Sequence, residues 1–353
     1  MSRIRLALGA LSRTGRTEAV ATLVLVAFGL FLRLGGVVLG DPIGFWNDEA
    51  NWAIRVMNDP LQKLAIRPIG FMLLTHWSAT LLGHWEFSFR LLPWLAGLAT
   101  PLIAVLLARR FLNRPAARLL FIGILSLSPL AIDYSKEFKP YALSLMLHLL
   151  LPLLVLRWHD TRRMRDLVLA GLVAPLAVFF SQDVIFLYPG LFLVLGVESW
   201  RKRNFRQLSV AAGMAVLSAG VVLGMYSLMW SGMSREKQSS YWGDKYGVFY
   251  RPQKHGDSAV AWYSKEYAEI AEVPGSRRSI LSTDVLPPSV VPELRSVDQL
   301  LWLGLHLIGL GVMVHQRRLR EALLFLSPTL VCAVFNLLGY WPFGVFRTNL
   351  FLL

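Results

Sequence analysis

The sequence has very little cysteine. Its 353 residues include one, Cys332, so the chain cannot form an intramolecular disulfide, and we expect this thiol to serve packing. Histidine is also sparse, and the residues His76, His84, His148 and His306 do not stand at metal-ligand spacing. We therefore expect packing or interfacial positions for them. The sequence indicates no cofactor with certainty, and it lacks the acidic cluster that would favour a divalent metal.

Charged residues are scarce as well. Asp, Glu, Lys and Arg make up 16% of the chain and hydrophobic residues 55%, which is typical of membrane proteins. About 20 apolar residues are needed to cross a bilayer core of about 30 Å, and several stretches come close to that length. They lie at about 19–40, 91–108, 117–132, 141–156, 167–180, 184–197, 208–230, 299–314 and 322–339. We predict an all-α polytopic membrane protein with nine to ten transmembrane helices, the tenth starting at Asn349 and truncated by the end of the chain.

Acidic residues are too few to balance the basic ones, and the net charge is +14. With a cytoplasmic N-terminus, the inner segments carry 19 Lys and Arg against 5 Asp and Glu, whereas the rest of the chain carries 17 of each. Those inner segments are 1–18, 109–118, 157–166, 198–206 and 317–321. This asymmetry is the positive-inside pattern, so the basic charge reports topology and we predict no nucleic-acid partner.

The predicted spans divide the chain into four parts. Residues 1–18 form a cytoplasmic tail before a retained anchor, because the next apolar run is too long for a signal peptide. Residues 19–230 form the main transmembrane module, with a first outer loop at 41–90. Residues 231–298 form an extracytoplasmic loop or small cap, and 299–353 form a C-terminal transmembrane part that we expect to be truncated.

Residues 67–83 are apolar enough to resemble a span. Counting them as one would reverse the charge pattern of every later loop. The segment has 17 residues with a Pro, a His and a Trp, so we predict an amphipathic helix at the outer interface instead.

Two adjacent carboxylates, Asp48 and Glu49, follow the first span and lie between tryptophans. The apolar residues that follow recur at helical spacing, which places both acids in the first turn of a helix over 48–57, where the helix dipole favours negative charge. Capping by Asn47 or Asp48 is the alternative interpretation. Since two acids side by side at a membrane surface are unusual, we treat them as candidate functional residues.

A second polar group lies in the short connection from Ser128 to Tyr141. It places two acids, two lysines and two tyrosines at the outer surface: Asp133, Tyr134, Lys136, Glu137, Lys139 and Tyr141. Ionisable groups near membrane depth are costly and favour a functional interpretation, although interfacial Lys and Tyr also serve as anchors.

These segments occur in an order that resembles a known group of enzymes. The order is Asp48-Glu49, then Arg67-Pro68, then the run from Gly83 to Pro93, then the run from Tyr134 to Tyr141. It is similar to the GT-C superfamily of polyprenyl-phosphate-sugar-dependent glycosyltransferases, and most of all to the family of protein O-mannosyltransferases and lipid A aminoarabinose transferases. Lys136, Phe138 and Lys139 depart from the family pattern, and Lys139 stands where Arg is usual.

The resemblance implies a GT-C-like helical bundle with interfacial helices in the first outer loop, and transfer of a sugar from a polyprenyl-phosphate donor to an acceptor hydroxyl. Asp48 would be the base, supported by Glu49. The cations Arg67, Lys139 and Arg347 would neutralise the lipid phosphate. Further residues would line the substrate site: Tyr134, Glu137, Tyr141 and Asp183. The implied partners are the lipid-linked donor, a lipid, glycan or protein acceptor, and the membrane.

Two alternatives stay open at this stage. Asp183 could contact substrate, but helix capping explains it equally well. A transporter, flippase or assembly subunit for cell-envelope polysaccharide would predict charges in mid-span and an internal repeat. The sequence shows no clear repeat, and Arg33, the basic residue inside a predicted span, lies near its outer end.

Overall fold

The computed structural model describes residues 13–35, 44–60, 67–227, 249–250, 258–271 and 304–343, and all regular secondary structure in these residues is helical. The helices are α1 (Arg13–Gly35), α2 (Asn47–Asn58), α3 (Ile69–Leu82), α4 (Glu86–Phe111), α5 (Pro115–Leu127), α6 (Pro129–Ser135), α7 (Tyr141–Thr161), α8 (Met164–Ala177), a 3₁₀ helix (Gln182–Leu187), α9 (Tyr188–Arg201), α10 (Phe205–Met225), α11 (Ala259–Ala271), α12 (Gly304–His315) and α13 (Leu319–Leu337). The predicted all-α class is confirmed.

The described residues confirm only part of the predicted set of spans. Among the described residues, six helices are long and apolar enough to cross a membrane, or seven if the bent pair α5 and α6 counts as one span. Helices occur at all nine predicted positions, but α8 has 14 residues, and the described part of α12 is Gly304–His315. Nine to ten spans are therefore not confirmed, and the predicted tenth lies outside the described residues. The chain is a multi-pass membrane protein.

The helices pack around α7. Its leucine-rich sequence is apolar on every side, so it is suited to a position enclosed by other helices rather than at the rim. Within the described residues, α4 makes the most extensive contact with α7, and α8 packs on it as well. By contrast, α10 leaves large apolar side chains such as Val216 and Leu223 exposed. Those faces suit lipid contact.

Charged groups collect at the two ends of the bundle. At one end, ion pairs join helix termini, for example Arg118 with Glu18 and Arg162 with Glu198. At the other end lie Arg90 and the residues around it. Arg90 and Arg110 are 20 residues apart on the continuous helix α4, which corresponds to about 30 Å, the thickness of a bilayer core. The bundle thus has the length needed to place one charged cluster at each membrane surface.

Helix α5 breaks at Ser128-Pro129, and α6 continues at an angle of 43°. Pro129 has no N–H, so it cannot donate to the carbonyl of Leu125. Arg33 of α1 supplies the missing donors, with Nη2 at 3.0 Å from the Leu125 carbonyl oxygen and Nη1 at 2.6 Å from that of Ser126. The break in a neighbouring helix thereby supplies acceptors for the two terminal nitrogens of this buried arginine.

This contact requires α1 and α5 to approach closely, which leads to a prediction for Gly29. A Cβ added at Gly29 would lie 2.6 Å from the backbone oxygen of Ser126, so backbone has to shift. We expect Gly29→Ala to lower the free energy of unfolding by about 1–3 kcal/mol, measured by thermal unfolding in detergent. Gly213→Ala in α10 is the control, because nothing lies within 4 Å of its added Cβ. Equal stability of the two variants would contradict the close packing.

The predicted interfacial helix over 67–83 is present as α3, Ile69–Leu82, and its 14 residues are too few for a span. The prediction that it is amphipathic is wrong. Its polar side chains turn inward: His76 Nδ1 lies 3.0 Å from the Val56 carbonyl oxygen, and Ser78 donates to the Ser88 carbonyl. The exposed positions are largely apolar and include Trp77 and Leu81.

Candidate active site

Helix α2 presents the two adjacent acids. The chain is extended at Trp46 and becomes helical at Asn47, so Asp48 and Glu49 lie in the first turn, as predicted. Capping by Asn47 or Asp48 is not observed. Instead Glu49 Oε2 accepts a hydrogen bond from the backbone N–H of Trp46 at 3.3 Å. The helix start therefore uses Glu49, and Asp48 is left for other contacts.

Glu49 is fully buried and joins three parts of the chain. Arg90 of α4 binds it with both arms, Nη2 to Oε2 at 2.7 Å and Nε to Oε1 at 3.2 Å. The backbone N–H of Phe138, in the loop between α6 and α7, donates to Oε1. This carboxylate therefore already accepts four hydrogen bonds, which is close to its full capacity. It is suited to holding the loop in place, and poorly suited to accepting a proton from a substrate.

Asp48 has the opposite surroundings. Its side chain is 47% exposed, and Oδ2 lies 2.5 Å from the ammonium of Lys139. Lys139 itself is buried, and it follows Phe138 directly in the loop that Glu49 fixes. The acids of α2 and the loop before α7 thus form one site, although they are about 90 residues apart in sequence.

Aromatic rings surround the cations of this site. Lys139 Nζ lies 3.8 Å from the centre of the Trp52 ring and 5.5 Å from that of Trp46. The guanidinium carbon of Arg67 lies 4.8 Å from the centre of the same Trp52 ring. Cation–π contacts of this kind hold a desolvated positive charge without neutralising it. Two cations therefore lie next to the half-exposed Asp48.

Burial changes the acid–base properties of both cations. It lowers the pKa of Lys139 below its ordinary value, and the hydrogen bond and charge of Asp48 oppose this effect. Burial also lowers the pKa of Arg67, with a further contribution from Arg55, while Asp48 raises it. Both groups are thus held in a low-dielectric setting where an added negative charge would be strongly attracted.

The tyrosines predicted for the site serve its scaffold. Tyr134 is buried in the core of the bundle, and its ring lies 5.1 Å from that of Tyr141, edge to face. Glu137 is half-buried in the same loop, and its backbone carbonyl accepts a hydrogen bond from the Lys139 N–H at 2.8 Å. The backbone that leads into Lys139 is therefore held by two hydrogen bonds, this one and that of the Phe138 N–H to Glu49.

Asp183 lies in a separate hydrogen-bonded group. It is buried at the start of the 3₁₀ helix and accepts hydrogen bonds from the hydroxyls of Ser181 and Ser144. These bonds attach the 3₁₀ helix to α7, which favours a structural role. Arg347, the other predicted phosphate-binding residue, lies outside the described residues. Across the described part of the chain, no three His, Cys, Asp or Glu residues form a group that could hold a metal ion.

Known proteins were compared with this chain, whose site joins the half-exposed acid Asp48 and the buried acid Glu49 to the buried cations Arg90 and Lys139. Residues 66–230 match the dolichyl-phosphate-mannose-protein mannosyltransferase family. That family belongs to the GT-C superfamily, so the resemblance drawn from the sequence is confirmed. No curated protein and no solved structure gives a significant match.

The matched segment supports a membrane glycosyltransferase of the GT-C type. It contains three of the cations described above, Arg67, Arg90 and Lys139, and it begins after the two acids of α2. The carboxylates of the site therefore come from outside the matched segment, and their place beside it is known from the structure alone.

Arg90 is the main site residue that sequence analysis missed. It stands in the run Phe87-Ser88-Phe89-Arg90-Leu91, at the point where α4 becomes apolar. The resemblance includes this run but assigns no role to Arg90. An arginine at the edge of a buried apolar helix needs a partner, and that requirement is the signal that could have identified it. Trp52, whose ring contacts both Arg67 and Lys139, is likewise not predicted as a site residue from the sequence.

Proposed function

We propose that this protein is an integral membrane glycosyltransferase that transfers a sugar from a polyprenyl-phosphate donor to an acceptor hydroxyl. Asp48 acts as the general base, and Lys139 and Arg67 bind the phosphate. The observation that carries this proposal is the contrast within α2. Glu49 is buried and saturated by Arg90 and backbone N–H groups, whereas Asp48 is half-exposed beside buried Lys139 and half-buried Arg67.

The chemistry follows from these positions. The acceptor oxygen attacks the anomeric carbon of the donor and forms the new glycosidic bond. The bond from that carbon to the phosphate oxygen breaks, and the phosphate leaves with the electron pair. Asp48 takes the proton of the acceptor hydroxyl, and the cations at the Trp52 ring stabilise the leaving phosphate. No step requires a further reactant.

We infer an inverting single displacement. A retaining mechanism through a covalent intermediate would need a second carboxylate placed as a nucleophile. Glu49 is the nearest candidate, but its oxygens accept hydrogen bonds from Arg90, Phe138 and Trp46. A carboxylate held in this way is poorly placed to attack a sugar.

We also propose that the site faces the extracytoplasmic side of the inner membrane and that the N-terminus is cytoplasmic. The support is the segregation of charge: the excess of Lys and Arg lies in the segments at the end of the bundle opposite Asp48 and Lys139. By the positive-inside rule that end is cytoplasmic. The donor sugar would then be used after it has been brought across the membrane on its lipid carrier.

Reconstitution in proteoliposomes tests the proposal. The protein is supplied with radiolabelled polyprenyl-phosphate mannose and a panel of lipid, glycan and protein acceptors. We expect release of polyprenyl phosphate together with a labelled product whose anomeric configuration is inverted, determined by NMR. Movement of the labelled lipid between leaflets without sugar transfer would instead indicate a flippase and overturn the proposal.

A further inference from the structure

The cation that should receive the donor phosphate is already occupied in the structure. Lys139 is 1% exposed, and the Asp48 carboxylate lies against its ammonium at 2.5 Å. The Trp52 ring covers it at 3.8 Å. Among the described residues, Asp48 is the one anionic partner on Lys139 Nζ, so an anion that takes its place requires the Asp48 carboxylate to move away.

The two partners differ in how firmly they are held. The backbone of Lys139 is fixed because the preceding N–H, that of Phe138, is bound to buried Glu49, and its own N–H donates to the Glu137 carbonyl. Among the described residues, the Asp48 side chain has one hydrogen-bond partner, the Lys139 ammonium, and it is 47% exposed. Displacement of the pair therefore means movement of the Asp48 carboxylate, which needs only a rotamer change in the first turn of α2.

The charges of the site leave room for one anion. Among the described residues of the site, Glu49 and Arg90 neutralise each other, while Lys139 and Arg67 together exceed Asp48 by one positive charge. A lipid-linked sugar phosphate is a phosphodiester with one negative charge. Its entry would make the group neutral if the phosphate took the ammonium and Asp48 turned towards the acceptor.

We propose that Asp48 and the donor phosphate compete for Lys139, so that donor binding releases the base. This inference rests on the proposed function and adds an order of events to it. In the resting protein, Oδ2 of Asp48 is engaged by the ammonium. Once the phosphate replaces it, that oxygen can accept the proton of the acceptor hydroxyl. The protein thus exposes its base only when a donor is in place.

Binding of the lipid phosphate alone separates this competition from catalysis. We would measure equilibrium binding of radiolabelled undecaprenyl phosphate to the full chain in lipid nanodiscs. Asp48→Asn is expected to bind about 5- to 150-fold more tightly than the wild type, the range usual for the coupling between two interactions in one protein. Asp48→Ser is a second variant with the same expectation. Asp160→Asn, which removes an ion-paired and half-exposed carboxylate at the opposite end, is expected to bind as the wild type does.

The Lys139→Met background distinguishes competition from plain charge repulsion. If Asp48 and phosphate compete for the ammonium, the gain from Asp48→Asn disappears in that background. A gain that persists without Lys139 would overturn the inference, as would unchanged or weaker binding by Asp48→Asn in the wild-type background. Those results would leave Asp48 as a base intact, because its role is measured by transfer. If neither the wild type nor any variant binds undecaprenyl phosphate, the proposed donor fails and this inference fails with it.

Discussion

Asp48→Asn is expected to lower kcat for sugar transfer by about 10²–10⁴-fold, the usual contribution of a general base. The substitution keeps the size of the side chain and its place in the first turn of α2, but the amide cannot accept the proton of the acceptor hydroxyl. Because Asp48 is half-exposed and Glu49 holds the helix start, we expect the fold to be retained. The loss should therefore appear mainly in turnover, while the unpaired Lys139 ammonium lowers thermal stability without preventing folding.

Asp160→Asn is the matched control for this experiment. Asp160 is 52% exposed and ion-paired with Arg110, so it resembles Asp48 in exposure and pairing, but it lies at the other end of the bundle. We expect its transfer rate to equal that of the wild type. A full transfer rate for Asp48→Asn would remove Asp48 from the role of base. A comparable loss in both variants would point to a general electrostatic effect.

Arg90→Met and Glu49→Gln are each expected to lower the free energy of unfolding by about 3–5 kcal/mol, because each leaves a buried charge or polar group without its partner. Thermal unfolding in detergent or nanodiscs measures this change. The two substitutions should be strongly non-additive, since the first loss already breaks the shared pair. The double variant should still have a lower free energy of unfolding than the wild type, because the Phe138 and Trp46 N–H groups lose their carboxylate acceptor.

Arg110→Met supplies the contrast for the buried pair. The Arg110–Asp160 pair is largely solvent-accessible at the opposite end of α4, so its loss is expected to cost at most about 1 kcal/mol. If Arg90→Met were no less stable than Arg110→Met, this would contradict the claim that the buried pair of Glu49 and Arg90 holds the site together. Transfer activity measured on the folded fraction would then show whether the loop with Lys139 had moved.

The sequence predicted the elements of the site better than their connections. Helical periodicity located α2 and placed both acids in its first turn, and the short hairpin before Tyr141 marked the polar loop. The proposed division of roles, with Glu49 in support of Asp48, agrees with the buried position of Glu49. The partner Arg90 could not be identified in the same way, because an ion pair between residues 41 positions apart leaves no local signal.

The same limit explains where the fold departs from the predicted pattern. A hydropathy pattern over 117–132 does not register the lost hydrogen bond at Pro129, so it predicts one straight span where the structure has the bent pair α5 and α6. Helix α3 was predicted as amphipathic because it contains His76 and Ser78. Both side chains find carbonyl acceptors inside the protein, and only tertiary structure can supply those acceptors.

The hydrogen bonds from Arg33 to the break between α5 and α6 have a practical consequence for shortened versions of the protein. A fragment trimmed to the family segment, 66–230, would keep Lys139 and Arg67 but would lose Asp48 and Glu49. A fragment that starts at residue 44 would recover both acids and still lack α1, leaving the carbonyls of Leu125 and Ser126 without the guanidinium that binds them. Since α6 leads directly into the loop that carries Lys139, we expect an active fragment to need the first membrane helix.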